Sequence, residues 1–176
     1  MSKAFTRESD DLPDQPALTR PLSALPPGAK NYLTPGGERR LRGELDRLLQ
    51  VERPRVAAES KAQAPPGDPE LRRQLQALDQ RILQLQVSLQ SAVVVPPPVG
   101  PEDRVRFGAT VTVRETNGDC PRYRIVGVDE AEIDRGWVSW LSPIAKALLN
   151  ARVGQVVRFK CPSGDTELEV VAITYE

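Results

Sequence analysis

Apolar residues recur three and four apart in the first half of the chain and two apart in the second, so helices should precede strands. Thr34-Pro35 opens the first helical stretch: Thr caps free N–H groups of a first turn, and Pro at its first position gives up a donor that has no partner there. Leu41, Leu45 and Leu48 follow on one face, and Pro54 should kink or end this helix. Val56 to Ala62 can resume it until Pro65-Pro66-Gly67 stops it. The second stretch is more regular. Leu71, Leu75, Leu78, Ile82, Leu85 and Leu89 alternate spacings of four and three, an a/d heptad seam that Leu83 and Val87 broaden. A helix over 70–91 is roughly 33 Å long at 1.5 Å per residue. The short Pro/Gly connection folds the two helices back as an antiparallel hairpin with its tip near 63–69. A two-helix hairpin cannot surround its own seam, so it is either a projecting arm or half of a dimer. We read it as an arm in a monomer.

The grammar then changes. Residues 96–104, rich in proline, form a stiff linker. Phe107, Ala109, Val111 and Val113 alternate with polar or small residues, and Asn117-Gly118 offers a hairpin turn. Tyr123, Ile125 and Val126 fall in a second strand, Trp137, Val138 and Trp140 in a third. Ser142-Pro143 caps and opens a short helix over 144–149, ended by Val153-Gly154. Strands follow at about 155–160 and 166–175, around the turn Pro162-Ser163-Gly164-Asp165. The expected fold is α+β: an N-terminal antiparallel two-helix coiled coil over 31–95, the linker 96–104, and a small α+β domain over 105–176.

Composition narrows the chemistry. The 176 residues include 24 basic and 24 acidic side chains, no histidine and two cysteines, Cys120 and Cys161. Without histidine there is no Ser-His-Asp or Cys-His nucleophile and no His-containing zinc site, and two thiols cannot make an all-cysteine one. Zero net charge argues against a protein that coats nucleic acid by counterion release alone. Residues 1–30 carry five prolines and the acidic cluster Asp10, Asp11 and Asp14, with Phe5 as their only aromatic residue, and read as a disordered, solvated leader. No apolar run approaches the ~20 residues that span a bilayer, and the N-terminus lacks a signal-peptide core. A reducing, cytoplasmic setting with no membrane partner is expected.

Several strings carry a resemblance. They are Tyr32-Leu33-Thr34-Pro35-Gly36-Gly37, Leu41-Arg42-Gly43-Glu44-Leu45, Val51-Glu52-Arg53-Pro54, Phe107-Gly108-Ala109-Thr110-Val111-Thr112-Val113 and Tyr123-Arg124-Ile125-Val126-Gly127 with Asp129-Glu130. Last comes Ser142-Pro143-Ile144-Ala145-Lys146-Ala147-Leu148-Leu149. In order and spacing, over about residues 30–176, the chain resembles the bacterial Gre transcript-cleavage factors, nearest the GreB branch. The resemblance implies a coiled-coil arm and an FKBP-like C-terminal domain. It implies that this domain grips RNA polymerase at the rim of its secondary channel, meeting nascent RNA and DNA only within the elongation complex. The arm would carry acids at its tip to the polymerase's active centre. Such a factor acts on backtracked or paused complexes and is not itself an enzyme but a cofactor of the polymerase's own nuclease activity. Carboxylates suit that role because Mg²⁺ takes hard oxygen ligands, and two-metal cleavage needs one ion to activate water and another to stabilise the leaving oxygen.

The chain departs from the family at that point. The family tip carries two acids three residues apart; here the segment is Pro65-Pro66-Gly67-Asp68-Pro69-Glu70-Leu71. Asp68 keeps the position after Gly67 and is the implied catalytic acid and Mg²⁺ ligand. Glu70, two residues on, is a substitute second acid on a different side of the helix. The same residues also make a complete helix start, with Asp68 as cap, Pro69 first and Glu70 favourable to the dipole. The second helix is about one heptad shorter than in the GreB pattern, or about 10 Å. Cleavage stimulation is therefore expected to be attenuated, and the alternative is a non-cleaving Gre-like regulator that competes for the secondary channel. The implied polymerase-binding residues are Leu141, Ser142, Pro143, Ile144 and Ala145; the family has Asp or Asn where Leu141 stands. Trp137 and Trp140 are candidates for an exposed partner face. Arg72, Arg73 and Arg81 read as a solvated coiled-coil face. A prolyl isomerase would rest on fold analogy alone and is disfavoured by the 5% aromatic content.

Overall fold

The computed structural model describes residues 25–62, 68–161 and 164–176. The leader, apart from 25–30, lies outside them, as do 63–67 of the expected tip and two residues of the 162–165 turn.

Strand β1 (Asn31–Leu33) leads into helix α1 (Pro35–Arg47). Thr34 starts α1 as expected: its Oγ1 accepts from the Gly37 N–H at 2.9 Å, and Pro35 takes the first position. Pro54 does not end the helical run. A single π-helical turn, Leu48–Glu52, sits just before it, and helix α2 (Arg53–Ala62) continues directly. In a regular α-helix Pro54 would crowd the carbonyl four residues back. The wider turn carries the Arg53 N–H to the Leu48 carbonyl instead and absorbs the proline.

Helix α3 (Pro69–Ser91) returns along this run. Leu41 and Leu48 from one side and Ile82 and Leu85 from the other bury a common seam with Leu33. Leu83 and Val87 do not broaden it: they are 60% and 57% exposed, because one partner helix covers only the a/d stripe. Two inter-helix ion pairs flank the seam. Arg81 grips Glu44 through both guanidinium nitrogens at 2.8 and 3.0 Å, and Arg53 meets Asp79 at 2.5 Å. That carboxylate pushes the Arg53 pKa up.

Strand β2 (Ala92–Val94) pairs in parallel with β1 at the foot of the hairpin. Its three residues are too few for a visible alternation.

The C-terminal region is a five-stranded sheet in the order β5-β4-β3-β7-β6, built from β3 (Thr110–Glu115), β4 (Arg122–Val126), β5 (Trp137–Ser139), β6 (Val156–Cys161) and β7 (Gly164–Thr174). All neighbours are antiparallel except β4 and β5. Phe107 precedes β3 rather than starting it, because the chain turns at Gly108, which has φ of 85°. Trp140 likewise lies just past β5. Helix α4 (Pro143–Leu148) lays Ala145 and Leu148 on Val111, Val113, Ile125, Leu168 and Val170, and this is the second core. Asn150, at φ 68°, ends the helix in the left-handed conformation that Asn tolerates. The whole is the expected α+β class.

Candidate functional site

At the arm's far end, Asp68 caps α3. Its Oδ1 accepts from the Glu70 N–H at 2.9 Å, and Pro69 occupies the first position. The Glu70 carboxylate turns back along the helix toward Arg73, 3.8 Å away. Both acids are thus engaged locally. Among the described residues no three Asp, Glu or Cys side chains converge on a point where a metal ion could be held. Asp68 Oδ1 is the oxygen taken up by the cap, and Mg²⁺ takes hard oxygen ligands such as the other carboxylate oxygen of Asp68.

The segment 141–145 lies on the opposite region, at the start of α4. Ser142 Oγ accepts from the Ala145 N–H at 3.2 Å, Pro143 is exposed, Leu141 and Ile144 are half-buried, and Ala145 is in the core. Ser142 and Pro143 thus do the work of a cap, with Pro143 and the rim of Leu141 left facing outward. The structure does not bring this segment to the tip acids, which stand at the other end of the arm.

Where the arm meets the sheet lies an assembly that sequence reasoning missed. Val128–Glu130 forms a 3₁₀ turn after β4 and places Glu130, 4% exposed, under the start of α1. Its Oε2 accepts from the Thr34 N–H at 2.8 Å and the Gly127 N–H at 3.1 Å, and its Oε1 takes the Thr34 hydroxyl at 2.5 Å. Gly37 is required here, since a Cβ would stand 1.8 Å from Glu130 Oε1. Beside it Asn31 Nδ2 donates to the Ser88 carbonyl at 3.1 Å, and Ser88 Oγ bonds Asp129. Helix α1, helix α3 and the sheet are thereby locked together.

The two tryptophans are not an open partner face. Trp140 packs edge-on against Tyr32 of β1, with ring centroids 5.3 Å apart. Trp137 carries the Arg40 guanidinium 4.3 Å above its ring, with Arg124 and Arg135 at 5.4 and 5.3 Å. Burial lowers the Arg40 pKa; the Glu130 carboxylate opposes that, while Arg135 and Arg124 add to it. Arg39, Arg40, Arg124, Glu130 and Trp137 line a recess of about 410 Å³ at the start of α1. The only signal for this assembly was the string Gly127 to Glu130, which carries no periodicity.

A foot binds the first helix of a long hairpin to a curled sheet, with acids at the hairpin's far end: a coiled-coil arm on a small α+β body. The chain matches the family described as "Transcription elongation factor, N-terminal" over residues 31–94 and that described as "Transcription elongation factor, GreA/GreB, C-term" over 100–175. It is 36% identical over 154 residues to a GreB of Neisseria meningitidis serogroup B, covering 83% of this chain and 94% of that protein. It is 39% identical over 156 residues to a GreA of Alkalilimnicola ehrlichii, covering 84% and 99%. Among solved structures, the GreA factor homolog Gfh1 of Thermus thermophilus is similar at 26% identity and TM-score 0.37, covering 83% and 99%. The chain belongs to the GreA/GreB family of transcription elongation factors. Among the described residues no helix is long and apolar enough to cross a membrane.

Proposed function

We propose that this chain acts on backtracked or paused elongation complexes by entering the secondary channel of bacterial RNA polymerase. It is a cytoplasmic cofactor rather than an enzyme. The segment Leu141 to Ala145 contacts the channel rim, and the arm carries Asp68 and Glu70 inward. Any Mg²⁺ belongs to the polymerase's active centre, with Asp68 as this chain's contributor. Stimulation of transcript cleavage is weak or absent while occupancy of the channel is retained. The observation that carries this reading is the engagement of both acids in the start of α3: Asp68 Oδ1 holds the Glu70 N–H, and Glu70 faces Arg73. A two-metal centre needs its ligands placed to within about half an ångström, which a capping carboxylate is not free to follow. The same observation favours a second reading, a non-cleaving regulator that displaces cleavage-competent Gre proteins.

The test is a stalled, backtracked elongation complex read for shortened RNA. Slow or no shortening, with loss of cleavage by an added GreB, is the expected result. Rapid shortening by the wild-type chain, abolished in Asp68→Ala, would overturn the attenuated reading. No association with polymerase would overturn both.

A further inference from the structure

We propose that the recess between the start of α1 and the β4–β5 edge binds a small phosphate-rich molecule of the inorganic pyrophosphate or nucleoside polyphosphate class. Its volume, about 410 Å³, lies within the usual range for small-ligand sites. Three arginines line it, Arg39, Arg40 and Arg124, against one acid, Glu130. Its oxygens accept from three donors of Thr34 and Gly127, and its charge, 3.8 Å from Arg40, offsets one of the three arginines and leaves the wall net cationic. Arg39 is exposed and has no ion pair or hydrogen bond among the described residues. Arg124 turns one terminal nitrogen to Glu176 at 2.7 Å and stands in the wall of the recess with its side chain 18% exposed.

The remaining geometry agrees. Arg40 stands 3.8 Å from Glu130 Oε1 and is packed over Trp137; burial lowers its pKa, and the Glu130 and Glu132 carboxylates oppose that. The Gly36 N–H is a first-turn donor with no partner inside the helix. A side chain at Gly36 would meet nothing closer than 3.8 Å, so the packing does not demand glycine there, and its absence of a Cβ leaves the helix start open to the recess. Guanidinium groups chelate phosphoryl oxygens in planar pairs, and the helix start adds to the positive potential. The Trp137 ring is covered by Arg40, so it is not free to stack a nucleobase. Recognition should therefore follow the phosphate chain and not the base.

The experiment is calorimetric titration of the full chain with pyrophosphate, tripolyphosphate, ATP and GTP at low and high salt. One site is expected, with affinity rising with phosphate number, equal for ATP and GTP within about twofold, and falling with salt. Arg39→Gln should weaken binding by about tenfold without shifting the thermal midpoint, because the exposed Arg39 side chain has no ion pair or hydrogen bond among the described residues. Arg72→Gln, on the arm, should leave binding unchanged. Absence of binding by pyrophosphate and tripolyphosphate would overturn the proposal. So would binding unchanged by Arg39→Gln, strong preference for one base, or tighter binding of a single-stranded oligonucleotide than of tripolyphosphate. The proposal rests on the recess alone, so none of these outcomes bears on entry into the polymerase channel.

Discussion

Glu130 is a buried carboxylate whose partners are two backbone N–H groups and a hydroxyl, two of them from Thr34, 96 positions away in sequence. Replacing it by alanine leaves those donors buried without an acceptor, at about 1–3 kcal/mol for each group left unpaired. Glu130→Ala should therefore lower stability by about 3 kcal/mol in urea unfolding, a larger loss than any surface carboxylate of the arm would give. A second residue sets a pH dependence. The Tyr175 hydroxyl donates to the Arg104 carbonyl at 2.8 Å and accepts from the Arg106 N–H at 3.0 Å. Burial raises its pKa above the ordinary tyrosine value, so the folded chain keeps this proton longer than the unfolded chain does. Stability from this group is complete below about pH 10 and declines as pH rises through the folded value. Tyr175→Phe should flatten that decline in urea midpoints measured between neutral and strongly alkaline pH. At this scale legibility divides by distance along the chain. The caps Thr34, Asp68 and Ser142 were readable because acceptor and donor lie within three residues. Glu130 was not, because its acceptor role is set by a helix start nearly a hundred residues upstream. The cover over Trp137 was equally hidden, since Arg40, Arg124 and Arg135 come from three separate elements.

Among the elements, the heptad of α3 was legible because a single period runs through its length, and burial of Ile82 and Leu85 follows it. The period did not reveal how wide a stripe the partner covers, and Leu83 and Val87 consequently face solvent. Leu85→Ala, which empties a fully buried position, should cost about 2–4 kcal/mol, whereas Leu83→Ala should change stability by less than about 0.5 kcal/mol. Chemical denaturation followed by helical circular dichroism measures both, and equal losses would contradict the seam as described. The π-helical turn at Leu48–Glu52 was beyond sequence reasoning. A proline announces that one backbone donor is missing, but not whether the chain breaks or widens by one residue to accommodate it. Here the tight Arg81–Glu44 and Arg53–Asp79 pairs lie on either side of that turn and favour continuity. In the sheet, the alternation in β3 and β6 is clear; the parallel pairing of β5 is not, because it depends on a crossover through the 3₁₀ turns Val128–Glu130 and Ile133–Arg135, which have no period of their own.

For the molecule as a whole, the order of helices before strands was evident from the change in period, and the α+β class followed from it. How the two parts join was not, because the joint is made of isolated polar residues. Pro143 offers a test of the outward face at the start of α4. It is exposed at a helix position that accepts an acid, so Pro143→Asp should keep the fold. We expect this variant to retain less than about a tenth of wild-type polymerase in a pull-down, a loss of one decade or more in affinity. Unchanged capture would place the contact elsewhere. The pairing of β1 with β2 has a wider consequence. Because Asn31 aligns with Ala92 and Leu33 with Val94, the chain leaves and rejoins the foot at adjacent points. The hairpin is therefore a loop-like insertion from the body's point of view, however long it grows. Whole heptads can be gained or lost from both helices together without moving a single bond at the foot. Reach is consequently a quantity that evolution, or an engineer, can set like the length of an interchangeable probe, leaving the socket that holds it untouched.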